Sequence, residues 1–246
     1  MKFVALLIPF AILLSMVKDQ LVPAMFIFGD SIVDVGNNND LVTLIKANFP
    51  PYGRDLAHHE PTGRFCNGKL AIDIIAEGLG FTDQQPAYMS DKANGEMLLI
   101  GANFASAASG YYNATATLYN LYELGARRIG VTTLPPLGCL PAAITAFGHG
   151  SNQCVARLNN NAISFNNKLN HRSQSPLYTI ITKPDENEVR RACCGTGLLE
   201  TSILCNQHSI GTCSNASQYV FWDSFHPTEA AKKILATNLS NSGDSL

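Results

Sequence analysis

Three side chains in this sequence have the types and spacing for nucleophilic chemistry. Ser31 stands in Phe28-Gly29-Asp30-Ser31, just past an apolar run of strand character from Ala24 to Phe28. Near the other end, Trp222-Asp223-Ser224-Phe225-His226-Pro227 sets an acid three residues before a histidine. A serine hydroxyl is a weak nucleophile until a base takes its proton, and the base needs a carboxylate to hold its tautomer and stabilise the imidazolium. Ser31, His226 and Asp223 supply all three groups. A Gly-Asp-Ser tripeptide by itself is ordinary turn chemistry, so the second motif is what gives the first a chemical reading.

The elements that must position these groups follow an α/β pattern. A serine beyond the end of a buried strand lies where open parallel sheets bind ligands, with backbone N–H groups aimed at developing negative charge. Two further apolar runs, Leu98 to Ala105 and Arg127 to Thr133, read as core strands. Helices are expected at 41–48, at 68–79 with Asn67 as cap and Gly80 as stop, at 121–125, and at 152–170 with Val155, Leu158, Ala162, Phe165 and Leu169 on one stripe. The last helix carries Pro227 in its first turn and runs through Leu239, which puts His226 just ahead of it. Pro50-Pro51-Tyr52-Gly53 reads as a helix stop and Leu134 to Pro141 as a stiff loop on the pocket rim. Asp30 is expected to shape its turn rather than to move protons. His58, His59, His149, His171 and His208 fall in loop contexts and receive no role.

The chain has 246 residues, 46% hydrophobic and 15% charged, with a formal net charge of −2. That suits one α/β domain and lacks the basic excess that nucleic-acid binding uses. Lys2 followed by Phe3 to Val17 has the n-region and h-region of a secretory signal peptide, and this run, interrupted by Pro9, is short for a membrane span. Residues 1–23 are therefore assigned to a leader, cleaved between Ser15 and Ala24, and 24–246 to a single extracellular domain with no stable membrane span. The seven cysteines form no pair of C-x-x-C units and read as disulfides rather than metal ligands. Cys139 with Cys154 would close a short loop, Cys193 and Cys194 would pair with Cys205 and Cys213 in one of two arrangements, and Cys66 would remain as a buried thiol. Glycosylation sequons start at Asn113, Asn215 and Asn238, and Asn215 is the one expected to be exposed.

Taken as a set, Phe28-Gly29-Asp30-Ser31, Asp34-Val35-Gly36-Asn37-Asn38-Asn39, Asn103-Phe104-Ala105-Ser106, Leu134-Pro135-Pro136-Leu137-Gly138-Cys139 and Asp223-Ser224-Phe225-His226-Pro227 resemble the plant GDSL esterase/lipase family of SGNH hydrolases. The motifs stand in that family's order from about Met25 to about Leu239. The resemblance implies a secreted serine esterase or lipase on a flavodoxin-like three-layer α/β/α fold. Its substrate would be a small-molecule or lipid acyl ester, with no metal or nucleotide cofactor and no nucleic-acid partner. It also implies Ser31 as nucleophile, His226 as base, Asp223 as the acid behind it, and the N–H groups of Ser31 and Gly110 as oxyanion donors.

One signature of that family has no counterpart here. A Gly-x-Asn-Asp segment on its own strand, whose asparagine is a third oxyanion donor, would fall between Gly110 and Arg127, yet Tyr111 to Thr117 runs straight into Leu118-Tyr119-Asn120. A second gap falls near His171 to Pro176. The sheet is thus expected to be short of strands, and a catalytically impaired or inactive family member is the alternative to an active esterase.

Overall fold

The structure, a computed structural model, describes residues 20–81, 84–110, 132–169 and 190–243. The expected leader lies almost wholly outside these residues, as do Asn113, the helix at 121–125 and the strand at 127–131.

Parallel pairing begins at the segment that leads to Ser31. The N–H groups of Met25 and Ile27 donate to the carbonyls of Ile100 and Ala102 at 2.9 and 3.1 Å, and those of Phe104 and Ser106 donate back to Ile27 and Gly29 at 2.8 and 3.1 Å. Even, slanted spacing of this kind is a parallel ladder, with Ile27 opposite Asn103, and Asn103 also pairs in parallel with Ala87. Among the described residues these pairings are isolated bridges rather than strands of regular length. The expected strand at 98–105 is corrected in its first half, because Gly95–Ile100 is a 3-10 turn. Gly101, at φ +105°, ends that turn, and a side chain there would collide with the Met25 backbone. The described part of the third expected strand, 132–136, is irregular.

The described residues include four α-helices: α1 (Ala71–Gly78), α2 (Pro141–Phe147), α3 (Ala156–Leu169) and α4 (Glu229–Gly243). At the start of α1 the Asp73 carboxylate accepts the Leu70 N–H at 2.8 Å. Its end is a Schellman motif, with the Gly80 N–H on Glu77 O, the Phe81 N–H on Ala76 O, and Gly80 at φ +92°. Asn67 does not cap α1; its Oδ1 accepts the Glu229 N–H at 2.9 Å and so caps α4, which packs against α1. Pro227 likewise stands before α4 rather than in it, bridged to Phe221. The expected rim loop at 134–141 instead contains a 3-10 turn, Leu137–Cys139, and leads into α2.

Residues 41–48 are not helical. Their carbonyls are claimed by side chains elsewhere: Asn38 Nδ2 donates to Ile45 O, and Ser202 Oγ bonds Leu44 O and Lys46 O. Such side-chain partners offer the backbone an alternative to helix hydrogen bonds.

The disulfides are Cys139–Cys154, Cys193–Cys213 and Cys194–Cys205, which resolves the open choice, and Cys66 is free and buried. The largest cluster packs Tyr52, Phe65 and Trp222 against the Cys193, Cys194 and Cys205 sulfurs. Beside it, Arg64 and Asp73 make a buried two-point ion pair at 2.8 and 2.9 Å.

Candidate active site

Ser31 sits in a tight turn at the end of the 25–29 segment. Asp30 shapes that turn: its carboxylate accepts the Ile32 N–H at 3.0 Å and its carbonyl accepts the Val33 and Asp34 N–H groups. Asp34 then fixes the turn to the neighbouring segment. Its Oδ1 accepts the N–H groups of Gly36 and Asn37 at 2.8 Å each, and Oδ2 accepts that of Ala107 at 2.9 Å. Burial pushes the Asp34 carboxyl above its ordinary value, against the pull of those three N–H groups and of Arg64. Asn37 donates to Asn103 O and Ala105 O and accepts from the Met89 N–H, while Asn38 donates to Ala107 O. The asparagine run is thus a fastener.

His226 arrives from the other end of the chain on a tight hairpin. The Trp222 N–H donates to His226 O at 2.7 Å and the Thr228 N–H to Val220 O at 2.9 Å, so residues 223–225 form the tip. Asp223 closes this tip by accepting the N–H groups of Phe225 and His226 on Oδ1 at 2.9 and 2.8 Å. The spacing of the Asp-Ser-Phe-His motif is therefore a turn geometry that also carries the carboxylate to the imidazole. His226 Nδ1 lies 2.7 Å from Asp223 Oδ1 and 2.8 Å from Oδ2, and its Nε2 lies 2.8 Å from Ser31 Oγ. Asp223 is fully buried and His226 is 5% exposed. The Phe65 ring covers the imidazole at 4.9 Å between centroids.

Three residues with no sequence signal complete the surroundings of Asp223. Tyr52 donates its hydroxyl to Oδ2 at 2.6 Å, Thr201 Oγ1 donates to the same oxygen at 3.2 Å, and the Ser202 N–H donates to the Tyr52 oxygen at 2.8 Å. Burial alone would raise the Asp223 carboxyl, but the charge and hydrogen bond of His226, the Tyr52 hydroxyl and the Phe225 N–H outweigh it and hold it below the ordinary value. Burial, reinforced by the Asp223 charge, drives the Tyr52 phenol well above its own. An imidazole so held can accept the hydroxyl proton of Ser31 and return it to a leaving group.

Gly110 lies on an exposed loop that runs beside the Ser31 turn. The Ser106 N–H and the Ser109 hydroxyl both donate to Gly29 O, at 3.1 and 3.3 Å, and Gly110 follows directly. A cleft of about 200 Å³, lined by Leu41, Tyr88, Met89, Phe104, Asn37 and Ser106, opens at the same end of the parallel segments. Asn215 is exposed, with its Oδ1 accepting the N–H and hydroxyl of Ser217, and Asn238 is exposed on α4. Among the described residues no group of three or more His, Cys, Asp or Glu is placed to hold a metal ion, and no helix is long and apolar enough to cross a membrane.

The sequence matches the model of the GDSL-like lipase/acylhydrolase family over residues 25–117 and 110–239. The chain belongs to this family. GDSL esterase/lipase At5g22810 of Arabidopsis thaliana is 49% identical over 336 aligned positions that cover 96% of this chain and 93% of that protein. GDSL esterase/lipase APG of the same plant is 44% identical over 326 positions, covering 92% of each. The first alignment is longer than the whole chain of 246 residues, so at least 90 of its positions face gaps here. The two stretches of the family match meet at 110–117, beside the Thr117-Leu118 joint. Membership in the GDSL family implies an α/β fold, to which the parallel pairing of 25–29 with 100–106 conforms.

Proposed function

We propose that this GDSL family member is a secreted carboxylic-ester hydrolase. The observation that carries the reading is His226 spanning Ser31 Oγ at 2.8 Å and Asp223 at 2.7 Å. His226 Nε2 takes the Ser31 proton as Oγ bonds the acyl carbon. The carbonyl π electrons move to oxygen, where the N–H groups of Ser31 and Gly110 hold the charge. Collapse of this intermediate breaks the bond to the alcohol, which leaves with the proton from His226. Water then attacks the acyl-enzyme with His226 again as base, releasing the acid and restoring Ser31. The mostly apolar cleft at Leu41, Tyr88 and Phe104 offers room for the hydrocarbon part of the ester.

A leader at 1–23, a single domain at 24–246, passage through an oxidising secretory pathway and glycans on Asn113, Asn215 and Asn238 belong to the same proposal. Its support is the disulfide set and the exposure of Asn215 and Asn238. The test is labelling of the secreted protein by a fluorophosphonate, with Ser31→Ala as control. Label confined to Ser31 is the expected result; a folded sample that takes none overturns the reading.

A second reading is favoured by the division of the family match into two stretches that overlap at 110–117 and by the gaps in the alignments. In this form the flavodoxin-like sheet is short of strands and the oxyanion site lacks its asparagine donor, so turnover is impaired. Loss of one such donor costs about 10²–10³ in turnover. Restoring the intervening segment of At5g22810 between Thr117 and Leu118 should recover that factor, and equal turnover with and without it removes this reading.

A further inference from the structure

We propose that Tyr52 is a positioning residue for the proton-transfer pair: its hydroxyl, oriented by the Ser202 N–H, holds the Asp223 carboxylate in the orientation that serves His226 and moderates its charge. The inference rests on the esterase reading for its consequences in turnover, and on geometry alone for its electrostatic part.

The direction of the bond is fixed by what each partner can do. A backbone N–H only donates and a carboxylate only accepts. With the Ser202 N–H on its oxygen, Tyr52 has its proton left for Asp223 Oδ2, at 2.6 Å. The ring has little freedom to move, being packed edge-on against Phe49, Phe65 and Trp222 at 5.8, 5.8 and 6.3 Å and 1% exposed. Ser202 is itself anchored: it adopts φ +47°, its hydroxyl bonds Leu44 O and Lys46 O, and the Lys46 N–H returns to that hydroxyl. Tyr52 and Thr201 therefore meet on one carboxylate oxygen, and residues 44–46 anchor Tyr52 indirectly, through Ser202.

Removing the Tyr52 hydroxyl acts on His226 in a stated direction. Asp223 without that donor carries a less dispersed negative charge, so it favours the imidazolium more strongly and the imidazole loses its proton at higher pH. The other groups that face this pair are Thr201, which keeps its weaker bond to Oδ2, the two backbone N–H groups on Oδ1, and the buried Lys232 ammonium, which Asp223 attracts. Arg54 stands over the Trp222 ring, at 4.7 Å from its centre. None of these changes in a Tyr52→Phe variant, and the ring contacts remain.

The experiment measures the His226 imidazole titration by NMR, assigned by its loss in His226→Gln, together with the pH profile of fluorophosphonate labelling in wild type and Tyr52→Phe. The expected result is a titration displaced to higher pH than in wild type. The acid limb of labelling should move with it and the plateau rate fall about tenfold. With an ester substrate the fall should appear in kcat, with KM within about twofold, because Tyr52 touches no position a substrate reaches. Thr201→Val should shift the titration the same way by less. A variant that melts earlier but titrates and labels like wild type overturns the proposal, as does a slower plateau with an unmoved titration. If wild type takes no label while the titration still shifts, the esterase reading fails and the role of Tyr52 toward Asp223 stands.

Discussion

The two halves of the candidate site are built on opposite plans. The acid–base half, Asp223 and His226, is buried and braced from several directions: Tyr52, Thr201, the hairpin backbone, the Phe65 ring, and two disulfides behind them. The nucleophile half hangs on a single turn with Gly29, Asp30 and Ile32 exposed, and its expected second donor, Gly110, is exposed as well. Five hydrogen-bond donors converge on one carboxylate in the first half, counting the imidazole N–H. The difference teaches where this molecule invests order. A buried carboxylate is costly wherever an acceptor site is left empty, so each donor lost from that half weakens the fold as well as the chemistry. The donors proposed for the other half belong to Ser31, on a half-buried turn, and to Gly110, which is exposed, so that half has less packing to lose.

The sharpest way to break one half alone is Asp34→Ala. Asp34 is the joint between the Ser31 turn and residues 105–107, and its loss leaves the N–H groups of Gly36, Asn37 and Ala107 without an acceptor. At about 1–3 kcal/mol for each buried donor left unmade, and with less than full additivity, a loss of about 3–5 kcal/mol is expected in urea unfolding. In whatever fraction remains folded, labelling at Ser31 should drop while the His226 titration stays in place. A variant within about 1 kcal/mol of wild type would show that the asparagine run holds the turn without Asp34.

How much of this contrast the sequence discloses follows from how local each feature is. Asp223 and His226 are legible because one hairpin tip positions both, and Ser31 because it ends an apolar run. The Cys139–Cys154 closure is legible because the two lie only 15 residues apart. Tyr52 is 171 residues from its acceptor and stands in a Pro-Pro-Tyr-Gly stretch whose local signal is a turn. No periodicity marks such a partner. The same distance explains the errors at 41–48 and Asn67. Ser202 and Glu229 decide those segments from far along the chain, and local propensity yields to them. In the fold the parallel pairing of 25–29 with 100–106 agrees with the α/β expectation, whereas the 3-10 turn at Gly95–Ile100 hinges on a contact between Gly101 and Met25 that the apolar run conceals.

A smaller effect, on the braced half, is expected from Cys194→Ser with Cys205→Ser. The bond closes an 11-residue separation and ties the Thr201–Ser202 turn to the strand-like pair at 194 and 222. Chain entropy sets the loss at about 2–3 kcal/mol. If the disulfide serves the site through that turn, the double variant should also raise the His226 titration in the direction expected for Tyr52→Phe. A loss of stability with an unmoved titration would separate the staple from the chemistry.

The smallest effect concerns acid stability at the rim of the same half. Glu200 clamps its own loop: Oε1 accepts the Thr196 N–H and hydroxyl, Oε2 accepts the Leu198 and Leu199 N–H groups, and its carbonyl accepts the Ser224 N–H beside Asp223. Burial would raise this carboxyl, yet the Thr196 hydroxyl and N–H and the Leu199 N–H outweigh it and lower it from 4.5 to about 2. Since the folded value lies below the unfolded one, the clamp stabilises the native state above 4.5 and its contribution is lost as pH falls through about 2. Asp223, also held down, acts in the same direction, while Asp34, raised by burial, acts in the opposite one: its contribution is present in acid and lost as pH rises through its folded value. Their sum obscures any single group in wild type. Glu200→Gln removes one and leaves the other two, so the wild-type advantage over the variant in urea midpoint should be constant above 4.5 and shrink between 4.5 and about 2. Midpoints that stay parallel through that window would mean the Glu200 bonds are exchanged for water at no net gain, leaving the order of the braced half to its buried members alone.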